Sequence, residues 1–288
     1  DRARWHGTLE ELAGEGLARL DRRWEALPEA DGRPAGPDHP YAADLDVLGP
    51  ASLRRLLSTP ATPPGRRTLR RWLLEPADPD ASARRQEAVA ALAGLHRFRA
   101  ELAGRGRMAG EPEEGAFRRF AEWAEADGWL ASRAWLLWTA RLLPAATAAL
   151  AAAQVTGLVA GPWWAIGPAA MLGLTGLVGP GPGRELERAT AGEAELARYA
   201  EILETLAGVE GDAAALARVR EDLAGGPGVP TAAEALQRLG RLVAWAEVRH
   251  NGFVYFVLQA LLLWDVHVLH RMERWKARVG DRVRDWLG

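Results

Sequence analysis

The chain has 288 residues, 48 % of them hydrophobic and 26 % charged, with a formal net charge of −2; this is the make-up of one large globular domain or two modest ones. So nearly neutral a chain is no general polycation for nucleic acid, and any DNA contact needs a local basic patch. There is no cysteine, which excludes disulfide frameworks, thiolate zinc sites and cysteine nucleophiles.

Asp1-Arg2-Ala3-Arg4-Trp5 carries no signal-peptide pattern and no initiator methionine, so further sequence is expected on either side. From Trp5 to Leu27 the spacing of Leu9, Leu12, Leu17, Leu20, Trp24 and Leu27 predicts one amphipathic helix. Ala30 to Pro40 reads as a linker, and a compact unit begins near His39. Ser52 is the expected N-cap of a short helix through Leu57. Three prolines between Thr59 and Gly65 end it; the next helix is expected over Arg66 to Leu74. Asp80 or Ser82 then caps a helix to about Leu102 with a stripe of Val89, Leu92, Leu95, Phe98 and Leu102. Helix is predicted again over Glu113 to Trp138, Ala194 to Leu206, Ala213 to Leu223 and Thr231 to Leu287, the last either unbroken or broken near His250-Asn251-Gly252. Gly225 to Gly228 is a linker. No strand alternation and no fixed-period repeat survive comparison with the helical pattern, so the fold is expected to be all-α.

Leu142 to Gly183 contains no Asp, Glu, Lys or Arg. A membrane-spanning helix needs about 20 apolar residues, so the run has room for two, turning at Gly161-Pro162-Trp163-Trp164. Arg133 and Arg141 precede it, and Arg184 and Arg188 follow, which would leave both ends on the positive, cytoplasmic side. Trp135, Trp138, Trp163 and Trp164 stand where interfacial indoles belong. The alternatives are a buried pair of soluble helices or an Ala/Gly-rich loop. Phe253 to Trp264 is apolar but too short to span, and is expected to be a core helix.

Pro63-Pro64-Gly65 is predicted to form a tight turn, a structural hinge. After it, Arg66, Arg67, Arg70 and Arg71 fall two by two on successive helical turns, with Leu69, Trp72 and Leu73 directed into a core. The arginines are candidate contacts to DNA phosphate or to a neighbouring domain; the plain alternative is a solvated or salt-bridged face with Asp44, Asp46 or Glu75.

His39 to Gly49, then Ser52-Leu53, Thr59 to Pro76 and Arg85-Gln86-Glu87-Ala88-Val89, resemble the opening of the core domain of the MutS family of mismatch-repair proteins. There a Ser-Leu precedes a Thr-x-Thr-Pro-x-Gly-x-Arg-x-Leu-x-x-Trp-Leu-x-x-Pro run and an Arg-Gln/Leu-x-Ala-Val helix. The likeness covers residues 39 to 103 well. Leu263-Trp264-Asp265 to Glu273-Arg274-Trp275 is more loosely similar to a membrane-associated MutS-like subfamily. The resemblance implies an elongated bundle with lever-like helices. It also implies that the Arg-faced element is a structural joint, which favours the plain alternative for its arginines.

The resemblance further divides the chain into a leading helix and linker (1–35), a first half of the core (36–133), the uncharged hairpin in place of a DNA clamp (134–183) and returning lever helices (184–288). It does not extend to a mismatch-probing domain with its Phe-x-Glu wedge. A P-loop needs Gly-Lys-Ser/Thr, and the sole lysine, Lys276, lies in Trp275-Lys276-Ala277. The chain is therefore expected to be non-catalytic, with no cofactor of its own. ATP and Mg²⁺ would belong to an ATPase beyond Gly288, which the chain would couple mechanically to DNA or a partner; a homodimer of the longer protein is implied by the family. The other expectation is a membrane-anchored scaffold of the same ancestry without mismatch recognition, cytoplasmic with inner-membrane association.

His267 and His270, with Asp265 and Glu273, have a spacing that can hold a metal, but no third ligand at a diagnostic position. A polar helix face is expected there. Glu113-Glu114 and Asp78/Asp80 read as capping and dipole partners.

Overall fold

The computed structural model of the chain describes residues 2–28, 35–36, 39–110, 115–190, 193–226 and 228–287. The chain is 75 % helical, and no strand occurs among the described residues, so it is all-α. The helices are α1 (Arg2–Leu20), α2 (Leu53–Leu57), α3 (Pro63–Leu74), α4 (Pro79–Ala93), α5 (His96–Ala109), α6 (Ala116–Glu125) and α7 (Ala134–Val155). They continue as α8 (Ile166–Val178), α9 (Gly181–Thr190), α10 (Glu193–Ala207), α11 (Ala214–Leu223), α12 (Ala232–Ala246), α13 (Gly252–Leu262) and α14 (Trp264–Leu287). They form two units: residues 1–112, 198–233 and 286–288, and residues 113–197 and 234–285. The expected joint at 133/134 lies inside the second unit, and 184–288 is shared between the two. The expected linkers and Glu113-Glu114 fall wholly or partly outside the described residues.

In the first unit α1 packs on α5 through Gly104, where a Cβ would come within 2.8 Å of the Trp5 ring. Glu15 holds Arg107 at 2.6 Å and Arg19 at 3.4 Å. The predicted helix to Leu27 stops at Leu20: Arg22 takes a left-handed φ of 53° and a 3-10 turn, Trp24–Ala26, follows. Leu17 and Leu20 are consequently exposed, while Ala18 is buried.

Ser52 caps α2 as expected, its Oγ accepting from the Arg55 N–H at 3.3 Å. The Pro-Pro-Gly run is not a tight turn before α3 but its first turn. The Thr62 Oγ1 accepts from the Gly65 N–H at 3.4 Å, and proline is at home where no N–H is needed and φ near −65° is wanted. The single helix expected to Leu102 is two, α4 and α5, broken at Gly94-Leu95; its cap is Asp78, whose carboxylate accepts from Ala81 at 2.7 Å ahead of Pro79. α11 closes on this pair: Val209, Ala213 and Leu216 meet Ala91, Leu92, Leu95 and Phe98.

In the second unit the helix expected over Glu113 to Trp138 is broken after Glu125 and resumes as α7. The core is built on α14. Trp275 lies 6.1 Å from Phe120 and 6.2 Å from Trp123, and donates to the Ala235 carbonyl at 2.7 Å. Lys276 is buried beside it, its Nζ 5.0 Å above the Trp123 ring. Burial lowers the Lys276 pKa, and Glu185, Glu273 and Asp127 pull it back. Gly280 lets α14 close on α6: a Cβ there would run into the Ala124 carbonyl. The last predicted segment is three helices. One break falls at the expected His250-Asn251, and a second at Leu263, which takes φ 50° and turns α13 through 83° into α14.

Candidate functional site

The second unit carries a broad exposed apolar surface made by α7, α8 and α13. α7 is the one described helix long and apolar enough by itself to cross a membrane, and only 11 % of its apolar stretch is buried. The chain turns through Gly157 and Gly161, both at positive φ, and a 3-10 turn over Trp163–Ala165, close to the predicted place. The second arm, α8, is shorter than a span, so the predicted room for two crossings is filled by one full-length helix and one short apolar one. The arms meet at Gly167, where a Cβ would strike Thr147, and Met171 is sealed between neighbours.

Phe253 to Leu262 is not a core helix as predicted. Gln259 and Ala260 are buried, but Phe253 is 78 % exposed and Val254, Phe256, Val257, Leu261 and Leu262 are exposed with it. Among the described residues, sixteen of the twenty-four exposed large hydrophobic ones lie between Trp135 and Leu177 or on α13. Length and apolarity were legible, but α13 had no polar stripe to say which side faced outward. One signal was present: Asn251 to Trp264 is as free of charge as the longer run.

Polar groups on this surface are tied back to their own helices. Thr139, Thr147, Thr156 and Thr175 donate to the carbonyls of Trp135, Leu143, Ala152 and Met171 at 2.8–3.0 Å. The Trp163 indole donates to Ala160 at 2.9 Å. This is how polar side chains are accommodated where no water is available.

At the foot of the surface is a buried polar knot. The Gln259 amide donates to the Thr175 Oγ1 at 3.0 Å and accepts from the Asp265 N–H at 3.2 Å. Asp265, 5 % exposed, accepts from the Tyr255 hydroxyl at 2.7 Å and lies 3.6 Å from the Arg249 guanidinium. Burial holds its carboxyl above the ordinary value, against the Tyr255 hydrogen bond and the Arg249 charge. A cavity of about 20 Å³ beside it is lined by Leu136, Thr175, Gln259 and Asp265 among others, room for one water.

The sequence-predicted residues lie elsewhere, in the first unit. Arg67 and Arg71 are exposed on α3, without a carboxylate partner among the described residues; Arg66 donates to the Ala61 carbonyl at 3.1 Å, and Arg70 is partly buried. Trp72 does not enter a core. It is 45 % exposed, with the Arg85 guanidinium 4.2 Å above its ring, whereas Leu69 and Leu73 are partly buried. Pro63, Pro64 and Gly65 are helical and partly buried. A Phe-x-Glu spacing does occur once, at Phe120-Ala121-Glu122, but Phe120 is buried and stacked on Trp123 at 5.6 Å.

Three of the four residues with metal-site spacing face separate partners. His267 bonds the Ala140 carbonyl at 3.1 Å, Glu273 accepts from Leu130 N–H at 2.7 Å, and Asp265 belongs to the polar knot. No group of three or more His, Asp or Glu gathers as metal ligands among the described residues. No family model, no curated protein and no solved structure matches this chain.

Proposed function

We propose that the chain is a membrane-anchored helical scaffold, with the α7–α8 hairpin in lipid, α13 against the same lipid, and the charged helices in water. The observation that carries this reading is the exposure of α7: a core helix of such apolarity would be mostly buried, and here 11 % is. Leaving that much contiguous apolar surface in water is unfavourable at about 25 cal/mol per Å². Arg133, Arg141, Arg184 and Arg188 at the hairpin's ends suit the positive, cytoplasmic face. The role is non-catalytic, with a membrane as first partner.

The resemblance of residues 39–103 to the MutS core supplies a second reading. In it the chain is the lever segment coupling an ATPase, with its ATP and Mg²⁺, to DNA. The exposed guanidiniums of Arg67 and Arg71 favour it; the half-exposed Trp72 counts against the joint that the family uses there. Binding of duplex DNA with a steep salt slope, lost in Arg67→Gln/Arg71→Gln, would support it.

The absence of native cysteine makes the anchor testable by single-cysteine labelling. Val155→Cys and Leu142→Cys, at positions 88 % and 62 % exposed in the protein itself, are expected to resist a membrane-impermeant maleimide in lipid vesicles and to react in mild denaturant. Arg188→Cys, beyond the hairpin, is expected to react in vesicles of one orientation. Rapid labelling of Val155→Cys in intact vesicles of both orientations would sink the membrane reading.

A further inference from the structure

Where α13 bends into α14, the apolar surface gives way to a face of arginines and imidazoles. His267, His270, Arg271 and Arg274 recur at helical spacing along one side of α14. The His267–Ala140 hydrogen bond brings Arg141 of α7 to the same face. His270 feels the surroundings: burial lowers its pKa, and Arg141, Arg274, His267 and Arg271 lower it further. The nearby acids are turned away, Asp265 into the polar knot and Glu273 onto the Leu130 N–H. None of Arg141, Arg271 and Arg274 has a carboxylate partner among the described residues. Protein surfaces normally intersperse charges of both signs, so this face is short of anions.

Beside it opens a cleft of about 190 Å³ lined by Trp245, Leu262, Trp264, His267, Val268 and Arg271. Its two indoles lie 6.0 Å apart, the Trp264 Nε1–H donating to the Trp245 carbonyl at 3.0 Å. The Arg271 guanidinium sits 4.7 Å above the Trp245 ring. Leu262, exposed at the end of α13, joins the cleft to the apolar surface. A guanidinium fork for a phosphodiester, indoles at the polar–apolar boundary and aliphatic groups beyond them follow the order of a phospholipid from headgroup to acyl chain.

We propose that this strip, Arg141, Arg271 and Arg274 with the Trp245–Trp264 cleft, binds the phosphate headgroups of anionic phospholipid. The inference rests on the membrane reading above and deepens it by naming the lipid class. Duplex DNA shares the phosphate chemistry, but its protein interfaces are polar and wet; docked here it would lie against Leu262 and the exposed apolar side of α13.

The full chain is partitioned between buffer and vesicles of phosphatidylcholine, alone or with about one-third phosphatidylglycerol. An arginine near an anionic surface is worth about fivefold in partitioning. The wild type is expected to prefer the anionic vesicles, and Arg141→Gln/Arg271→Gln/Arg274→Gln to lose at least about tenfold of that preference. The charge-matched Arg2→Gln/Arg4→Gln/Arg97→Gln, exposed in the first unit, is expected to keep it. Circular dichroism of both variants, matching wild type, confirms folding. Equal loss in the two variants would reduce the effect to net charge and overturn the strip. Equal wild-type binding to both vesicle types would overturn it too, leaving the anchor standing; binding to neither would remove the anchor as well. Displacement from anionic vesicles by duplex DNA through the same three arginines would replace the headgroup with a nucleic-acid face.

Discussion

Trp72 lies half in water under the Arg85 guanidinium, whereas Trp275 is sealed between Phe120, Trp123 and the Ala235 carbonyl. Their environments set opposite expectations. Trp72→Ala removes an exposed cation–π contact and should cost about 0.5–1 kcal/mol. Trp275→Ala opens the core and should cost about 3–5 kcal/mol. Denaturant unfolding in mild detergent checks both; an equally large loss at Trp72 would restore the buried anchor that the sequence suggested. Gly280→Ala adds one methyl where α14 touches the Ala124 carbonyl, and about 1–3 kcal/mol of destabilisation is expected by the same measurement. Caps show what single residues announce. Ser52 was readable as a cap because nothing nearby competes with it. Asp78 was one of three candidates beside Asp80 and Ser82, and Pro79 at the first helical position is the residue that distinguishes them.

Helix α13 shows the limit of pattern at the next scale. Apolar all round, it reads equally well as buried or as lipid-facing, because periodicity reveals a face only when a polar face exists to contrast with it. The break at Leu263 left no trace either: a leucine at positive φ is held by its tertiary setting, since it is itself buried. The long uncharged run was legible because an absence of charge over such a length is uncommon. The polar knot that fastens α13 to α8 and α14 offers a test at this scale. Burial raises the Asp265 carboxyl above 3.8, so between 3.8 and its value in the fold the folded state holds the proton more tightly than the unfolded chain. Stability from this group is therefore full below that window and falls as pH rises through it. Thermal unfolding in detergent from about pH 4 to about pH 7 should show that decline, and Asp265→Asn should flatten it. An unchanged pH profile in the variant would remove Asp265 as its source.

Across the whole molecule, the helical class was legible and the division of the chain was not. The chain passes between its two units near residues 112, 197, 233 and 285, and local spacing says which side of a helix is inward, not which distant segment it meets. The proline- and arginine-rich run over residues 59–76 lies wholly in the first unit, and the apolar surface wholly in the second, so the two were read from separate bodies. The hairpin itself is shallow. Beyond Arg141, α7 offers the 14 residues Leu142–Val155 and α8 has 13, about 20 Å each at the helical rise, while a bilayer's hydrocarbon layer is about 30 Å thick. Both arms fall short by about a third, a mismatch that lipid relieves by thinning around the hairpin. On the membrane reading proposed above, the protein should therefore gather in shorter-chain lipid, entering dimyristoyl in preference to dioleoyl vesicles, and in a cell it would be sorted toward the thinner of the membranes open to it.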